Sequence, residues 1–286
     1  MFGGLEAGGT KFVCAAGTGP DGLVTHRIPT TTPEETLAAA LDWFRARDIT
    51  ALGIGSFGPV SLHRGAPDWG RVTTTPKAGW AGADIAGVLG RGLGVPVAFD
   101  TDVNAAALGE RRWGAARGLD TFLYLTVGTG IGGGGYARGQ RLHGLIHPEM
   151  GHLRVPRAPG DDWPGHCPFH GDCLEGLAAG PAIAARCGAP AETLPPDHPA
   201  WAQVSHALAH GVYALLCALS PERVILGGGV AGQPHLLPRI REGLAALLGG
   251  YFSHPALDDL DTFLVPPGLG AHSGALGAIA LAEEAA

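Results

Sequence analysis

Three observations predict an α/β protein of two lobes. A length of 286 residues exceeds what one hydrophobic core usually organises. The order hairpin, strand, helix, strand, helix occurs once before about residue 115 and again after it. Each occurrence opens on a glycine-rich hairpin, LEAGGTKFV (5–13) and LTVGTGIGGGGY (125–136). The predicted limits are 1–115 for the N-terminal α/β lobe and 116–272 for the C-terminal one, whose loop 143–175 carries candidate metal ligands. A C-terminal helix (273–286) is expected to pack back onto the first lobe, and a cleft between lobes is where ligands are expected.

In the first lobe two strands flank the turn at 8–10, and a third is predicted near 23–28. Pro33-Glu34-Glu35 opens an amphipathic helix to about 47, since proline is tolerated in a first turn and acids suit its positive end. The unbroken apolar run ALGIGSF (51–57) predicts a buried strand, and a polar loop then leads to TTTPKAGW (73–80). A helix near 83–93, the strand VPVAFD (95–100) and an Ala-rich helix from Asp102 to about 113 complete the lobe. The second lobe begins with strands TFLYLTV (121–127) and GGGYARG (133–139), followed by a loop with almost no periodicity to about 173. Helices are predicted at 173–186, 200–219 and 235–249, strands at 223–227 and 263–266, and a closing helix at 273–284.

Composition narrows the function classes. A net charge of −7 without any basic stretch argues against nucleic acid, because phosphate backbones need clustered Lys and Arg. No apolar run is read as approaching a membrane span, and the N-terminus lacks a basic region. The expectation is a soluble cytoplasmic protein. Of 19 basic side chains only Lys11 and Lys77 are lysines. Cys14, Cys187 and Cys217 lie in apolar surroundings, whereas Cys167 and Cys173 lie in a His-rich polar loop. An odd total of five disfavours a disulfide framework, and metal binding is the better reading of that pair.

Glycine turns expose backbone N–H groups that can cradle phosphate. No GxxxxGK[ST] occurs, so a P-loop is excluded. The dinucleotide pattern GxGxxG is met at 53–58, 128–133 and 227–232, among other glycine runs; of these three only the last lies between a strand and a helix, and no early βαβ unit supports it. Paired hairpins tipped by Gly and Thr can instead grip one polyphosphate from two sides, with Thr10, Thr129 and Lys11 as donors.

With these residues in hand, the chain resembles the ROK family, which groups sugar kinases and sugar-responsive repressors within the actin-like (ribonuclease H-like) ATPase superfamily. EAGGTK (6–11) and TVGTGIGGG (126–134) resemble its two phosphate motifs, and ILGGGV (225–230) resembles the segment beside adenosine. The resemblance implies ATP binding through Gly8, Gly9, Thr10, Lys11, Thr129, Gly130, Pro181, Gly228 and Gly229; a helix-turn role for Pro181 stays open. DTDVNAAALGE (100–110) resembles the catalytic stretch and implies Asp102 as general base. A cap at Asp102 or Asp100 is the structural alternative. HPEMGH (147–152) resembles the sugar-binding element, which implies that Asn104, Glu149, His152 and Glu175 bind sugar hydroxyls.

Cys167, His170 and Cys173 follow at spacings of three, and His152 can supply a fourth ligand. Mixed S and N donors in an irregular loop favour tetrahedral Zn²⁺ in a filled, structural site. The common family version has a third Cys where His170 stands; the variant resembles that of the ROK fructokinases. His166 is a second choice of ligand, and the pair His206 and His210 reads as helix surface.

The resemblance therefore implies ATP-dependent phosphorylation of fructose at its 6-hydroxyl, with Mg²⁺ bridging the phosphates. Glucokinase or mannokinase is the alternative within the family. Lys77 stands where many family glucokinases carry Asn. A sugar-sensing regulator is the alternative of another class, and the short segment before the first phosphate motif is expected to hold no DNA-binding element. A homodimer, common in the family, is expected.

Overall fold

The first glycine-rich hairpin is β1 (Phe2–Ala7) paired antiparallel with β2 (Lys11–Gly17), in register from Phe2 opposite Gly17 to Ala7 opposite Phe12. In the computed structural model, which describes residues 1–286, this hairpin sits at the centre of a mixed sheet. β3 (Val24–Pro29) adds antiparallel to β2, while β4 (Leu52–Ser56) and β5 (Val97–Thr101) add parallel on the other side. Every residue of β4 is buried, as expected for a strand with parallel neighbours and covered faces.

Helix α1 (Pro33–Arg45) is capped by Thr32, whose side chain accepts from Glu35 N, and it buries Leu37, Ala40 and Phe44. Helix α2 (Ile85–Leu93) is capped by Asp84 and stops at Gly94, whose φ of 68° is the left-handed conformation glycine adopts without strain. Helix α3 (Asp102–Trp113) leads directly from β5. The C-terminal helix α10 (Ser273–Ala285) packs on α3, β1 and β4. Glycine makes that approach possible: a Cβ at Gly277 would lie 1.7 Å from Ala105 O, and one at Gly53 would lie 2.0 Å from Ala278 O. These elements form one compact unit of Met1–Gly118, Arg141–Pro148 and Gly268–Ala286. Residues 141–148, assigned to the second lobe from sequence, cluster with this unit.

The second unit comprises Leu119–Gln140 and Glu149–Pro267. Its hairpin is β6 (Phe122–Val127) with β7 (Ile131–Ala137); β8 (Gln140–Arg141) lies beyond β7. β9 (Arg223–Gly227) pairs parallel with β6, and β10 (Leu264–Val265) with β9. The strand orders β3-β2-β1-β4-β5 and β8-β7-β6-β9-β10 match position for position.

Where one helix is predicted at 173–186, the chain forms α4 (Leu174–Ala178) and α5 (Gly180–Cys187), separated at Ala179 by an extended ψ of 160°. Pro181 is the cause. It has no N–H to give and its ring would strike the carbonyl a turn earlier, so a helix can hold it only in a first turn. Helix α6 (Ala200–Leu219) ends at Ser220, φ 48°, and packs on α4 and α7 (Leu236–Leu248). Against the expectation that no segment approaches a membrane span, α6 is long and apolar enough by length and composition. Half of that stretch is buried inside the protein, as in a core helix, and polar His206 and His210 sit within it. Two short helices, α8 (Pro255–Asp258) and α9 (Leu260–Phe263), precede β10 without a counterpart among the predicted helices.

Candidate functional site

The start of α3 concentrates the chemistry of the first unit. Thr101 is the N-cap: its hydroxyl accepts from Asn104 N at 3.1 Å. The cap is therefore neither Asp102 nor Asp100. Asp102 occupies the first helical position, half-buried, where the helix dipole favours its charge; its Oδ1 accepts from Val103 N at 2.9 Å. Gly55 lets β4 pass close beneath, since a Cβ there would lie 2.5 Å from Ala105 Cβ and 3.3 Å from Asp102 Cα.

Asp100 is buried and accepts from Thr101 N at 2.8 Å and from Asn104 Nδ2 at 3.0 Å. Arg141 Nε lies 3.2 Å from its other oxygen, and His143 Nε2 lies 3.1 Å from both. Asn104, 0% exposed, is thus tied into a carboxylate-centred cluster. Sequence reading names Asn104 but neither Arg141 nor His143, because their link to Asp100 spans some forty residues without any spacing signal.

The first phosphate-type turn is closed by Gly8 N donating to Lys11 O at 3.0 Å. Thr30 braces it, its hydroxyl donating to Gly8 O at 2.8 Å and its N to Thr10 O at 3.0 Å. Thr10 and Lys11 are exposed, and a Cβ on Gly9 would meet nothing within 4 Å. Lys77 Nζ donates to Thr30 O at 3.3 Å, which places the other lysine on the same brace.

In the second unit, Gly128 N donates to Gly130 O at 2.9 Å, Gly180 N to Gly128 O at 2.7 Å and Val230 N to Val127 O at 2.9 Å. Thr129, Gly130, Pro181, Gly228 and Gly229 consequently gather around the ends of β6 and β9. Gly228 is required there: its φ is 96° and a Cβ would lie 2.4 Å from Val127 O. Glu175 joins this group, accepting from Ile131 N at 2.9 Å through Oε2. A Cβ on Gly130 would come within 2.7 Å of that oxygen.

The turn bearing Glu149 and His152 is pressed against the same point, since a Cβ on Gly151 would lie 1.8 Å from Ile131 O. Two carboxyl groups are thereby drawn together. Burial, with the charge of Glu175 added, pushes Glu149 up to about 7, where a carboxyl can donate or accept near neutral pH.

The loop that shows almost no periodicity in sequence is folded on itself. Cys167 and Gly171 exchange backbone hydrogen bonds at 2.9 and 3.0 Å. Asp172 pairs with Arg154 and Arg157, and Asp161 with Arg186 at 2.8 Å. The ligand atoms of His152, Cys167, His170 and Cys173 lie within 4.8 Å of one another. His152 Nδ1 is 3.5 Å from Cys173 Sγ and 3.9 Å from Cys167 Sγ, and His170 Nδ1 is 3.7 Å from Cys167 Sγ. A tetrahedral cation at about 2.3 Å from sulfur and about 2.0 Å from nitrogen separates such atoms by about 3.5 Å, so the donor set fits one. Burial pushes the Cys173 thiol up to about 11, with the neighbouring Cys167 adding to it; a cation would supply the missing positive charge. His152 Nε2 faces the other way, 3.9 Å from Glu149 Oε2. His166 is outside the cluster. His206 and His210, expected on the helix surface, are half-buried with rings 4.4 Å apart, and His206 Nε2 is buried without a partner.

Comparison with known proteins gives these residues a context. A fructokinase of Pediococcus pentosaceus is 45% identical over 287 residues, covering 100% of this chain and 98% of that one. A fructokinase of Zymomonas mobilis is 42% identical over 99% of this chain and 96% of that one. The crystal structure of a ROK family glucokinase from Streptomyces griseus, in complex with glucose and AMPPNP, matches with a TM-score of 0.79 at 26% identity, covering 99% of each chain. The ROK family pattern itself matches residues 2–285, the α/β fold with two mixed sheets is that of ROK kinases, and the chain belongs to the ROK family.

Proposed function

We propose that this chain phosphorylates fructose at the 6-hydroxyl using ATP. The observation that carries the chemistry is Asp102, a carboxylate at the first position of α3 in a helix whose cap is already supplied by Thr101. The full-length likeness to proteins named fructokinase supports the substrate. In the reaction, Asp102 accepts the hydroxyl proton as the sugar oxygen bonds to the γ-phosphorus; the bond to the bridging oxygen breaks and ADP departs. The turns at Gly8, Gly9, Thr10 and Lys11 and at Thr129 and Gly130 hold the phosphates, whose charge Mg²⁺ would offset when bound. Pro181, Gly228 and Gly229 line the nucleotide. Asn104, Glu149, His152 and Glu175 bind sugar hydroxyls.

His152, Cys167, His170 and Cys173 would hold Zn²⁺, whose four ligands leave no position for substrate. Bound there, it would fix the loop. His152 would offer Nδ1 to the ion, since that nitrogen lies beside the Cys173 sulfur, and would leave Nε2 on the side of Glu149.

A coupled assay with ATP against fructose, glucose and mannose tests the reading. Fructose gives the highest kcat/KM, and Asp102→Asn lowers kcat by about 10²–10⁴-fold with the sugar KM little changed. A preference for glucose or mannose would replace the substrate. Full turnover by the Asn variant would remove Asp102 as the base.

A further inference from the structure

Residues 141–148 form a strap held to the first unit at three points. Arg141 reaches Asp100 at 3.2 Å and Glu284 at 2.8 Å. His143 Nε2 reaches Asp100, and His147 Nε2 accepts from Val60 N at 3.0 Å. The middle contact has chemical consequences. His143 Nε2 lies 3.1 Å from each oxygen of the Asp100 carboxylate, an acceptor-only group, so Nε2 carries the proton. Asn104 Nδ2 donates to the same Oδ1 at 3.0 Å; its 3.2 Å separation from Nε2 brings two donors onto one acceptor and is no bond between them. With Nε2–H committed to Asp100, the lone pair that the ring can offer a ligand is at Nδ1. The side chain is 40% exposed, although its anchor Asp100 is 3% exposed. The ring is thus held through its distal nitrogen, and the Asp100 that holds it lies two residues along the chain from Asp102.

We propose that His143 contacts the phosphoryl acceptor, its Nδ1 accepting a hydrogen bond from a sugar hydroxyl, and that Asp100 is the positioning residue that sets its tautomer and direction. This rests on the sugar-kinase reading above and adds a residue to it. A neutral nitrogen acceptor suits a hydroxyl and disfavours an acceptor substrate with a bare carbonyl or carboxylate at that point, because two lone pairs would face each other.

The test measures KM and kcat on whichever hexose the unsubstituted enzyme phosphorylates best. His143→Phe raises the sugar KM about tenfold or more, leaving the ATP KM within about twofold. His143→Asn recovers most of the loss, since its amide can donate to Asp100 and present Oδ1 to the sugar. Asp100→Asn offers a donor where His143 needs an acceptor; it raises the same KM and adds little on top of His143→Phe. A sugar KM unchanged in His143→Phe overturns the proposal. So does a parallel rise in both KM values with a lower melting temperature in the Phe and Asn variants, the signature of a merely structural strap. Absence of hexose phosphorylation by the unsubstituted protein would instead sink the kinase reading itself.

Discussion

Replacing Glu110 by alanine should destabilise the first unit by about 4 kcal/mol, and the figure follows from its hydrogen bonds. The side chain is 0% exposed near the end of α3. Its oxygens accept from Ala115 N at 2.7 Å, Gly268 N and Leu269 N at 3.0 Å each, and Ser273 Oγ at 2.7 Å. One carboxylate thus ties the turn after α3 to the approach of α10, across more than 150 residues of sequence. Alanine strands three backbone donors; the Ser273 hydroxyl can turn to Gly270 O at 3.1 Å. Each orphaned buried donor costs about 1–3 kcal/mol, and water entering the vacated space recovers part of the sum. For a chain of this size the loss corresponds to a melting temperature lower by roughly 8–16 °C, read by calorimetry. Glu110→Gln keeps one carbonyl acceptor and loses about half as much. A melting temperature within about 2 °C of the unsubstituted protein for the alanine variant would refute the reasoning.

Two further outcomes test the strap and the metal loop. Burial holds His147 below the usual histidine range, against the opposing pull of the Pro148 backbone and Asp100 and with the aid of His143, so its neutral Nε2 can accept from Val60 N. Below about pH 6.5 the unfolded chain binds a proton that the native state refuses, so stability falls as pH drops through that window and is flat above it. His147→Gln keeps an acceptor without titrating; urea unfolding at about pH 7.5 and about pH 5.5 should show a smaller loss in the variant, and equal losses would contradict the assignment. Elemental analysis of the purified protein should find about one zinc per chain, abolished together with several degrees of thermal stability by Cys167→Ser. Retention of stoichiometric zinc by that variant would exclude Cys167 as a ligand.

Most of the secondary structure was legible because each signal is local. Thr32-Pro33 with two acids opens α1 where a cap and a first turn should be, and the glycine turns of both hairpins lie between strands only a few residues apart. The break at Ala179 is signalled by Pro181 but hidden by an apolar period that reads as continuous on either side of it. The membrane-length apolarity of α6 is masked in the sequence because His206 and His210 interrupt a run that is apolar only on average.

The sequence by itself determined the family, the doubled hairpin order, the position of Asp102 on a helix start and the candidate ligand quartet, all carried by residue types at short spacings. Only tertiary structure decided what those residues are free to do. It made Thr101 the cap, tied Asn104 to Asp100, brought Arg141 and His143 to that carboxylate, and turned the two nitrogens of His152 to different partners. The reason is physical: hydrogen bonds and charge pairing act over about 3 Å in space, and chain separation carries no record of which distant groups will meet at that range.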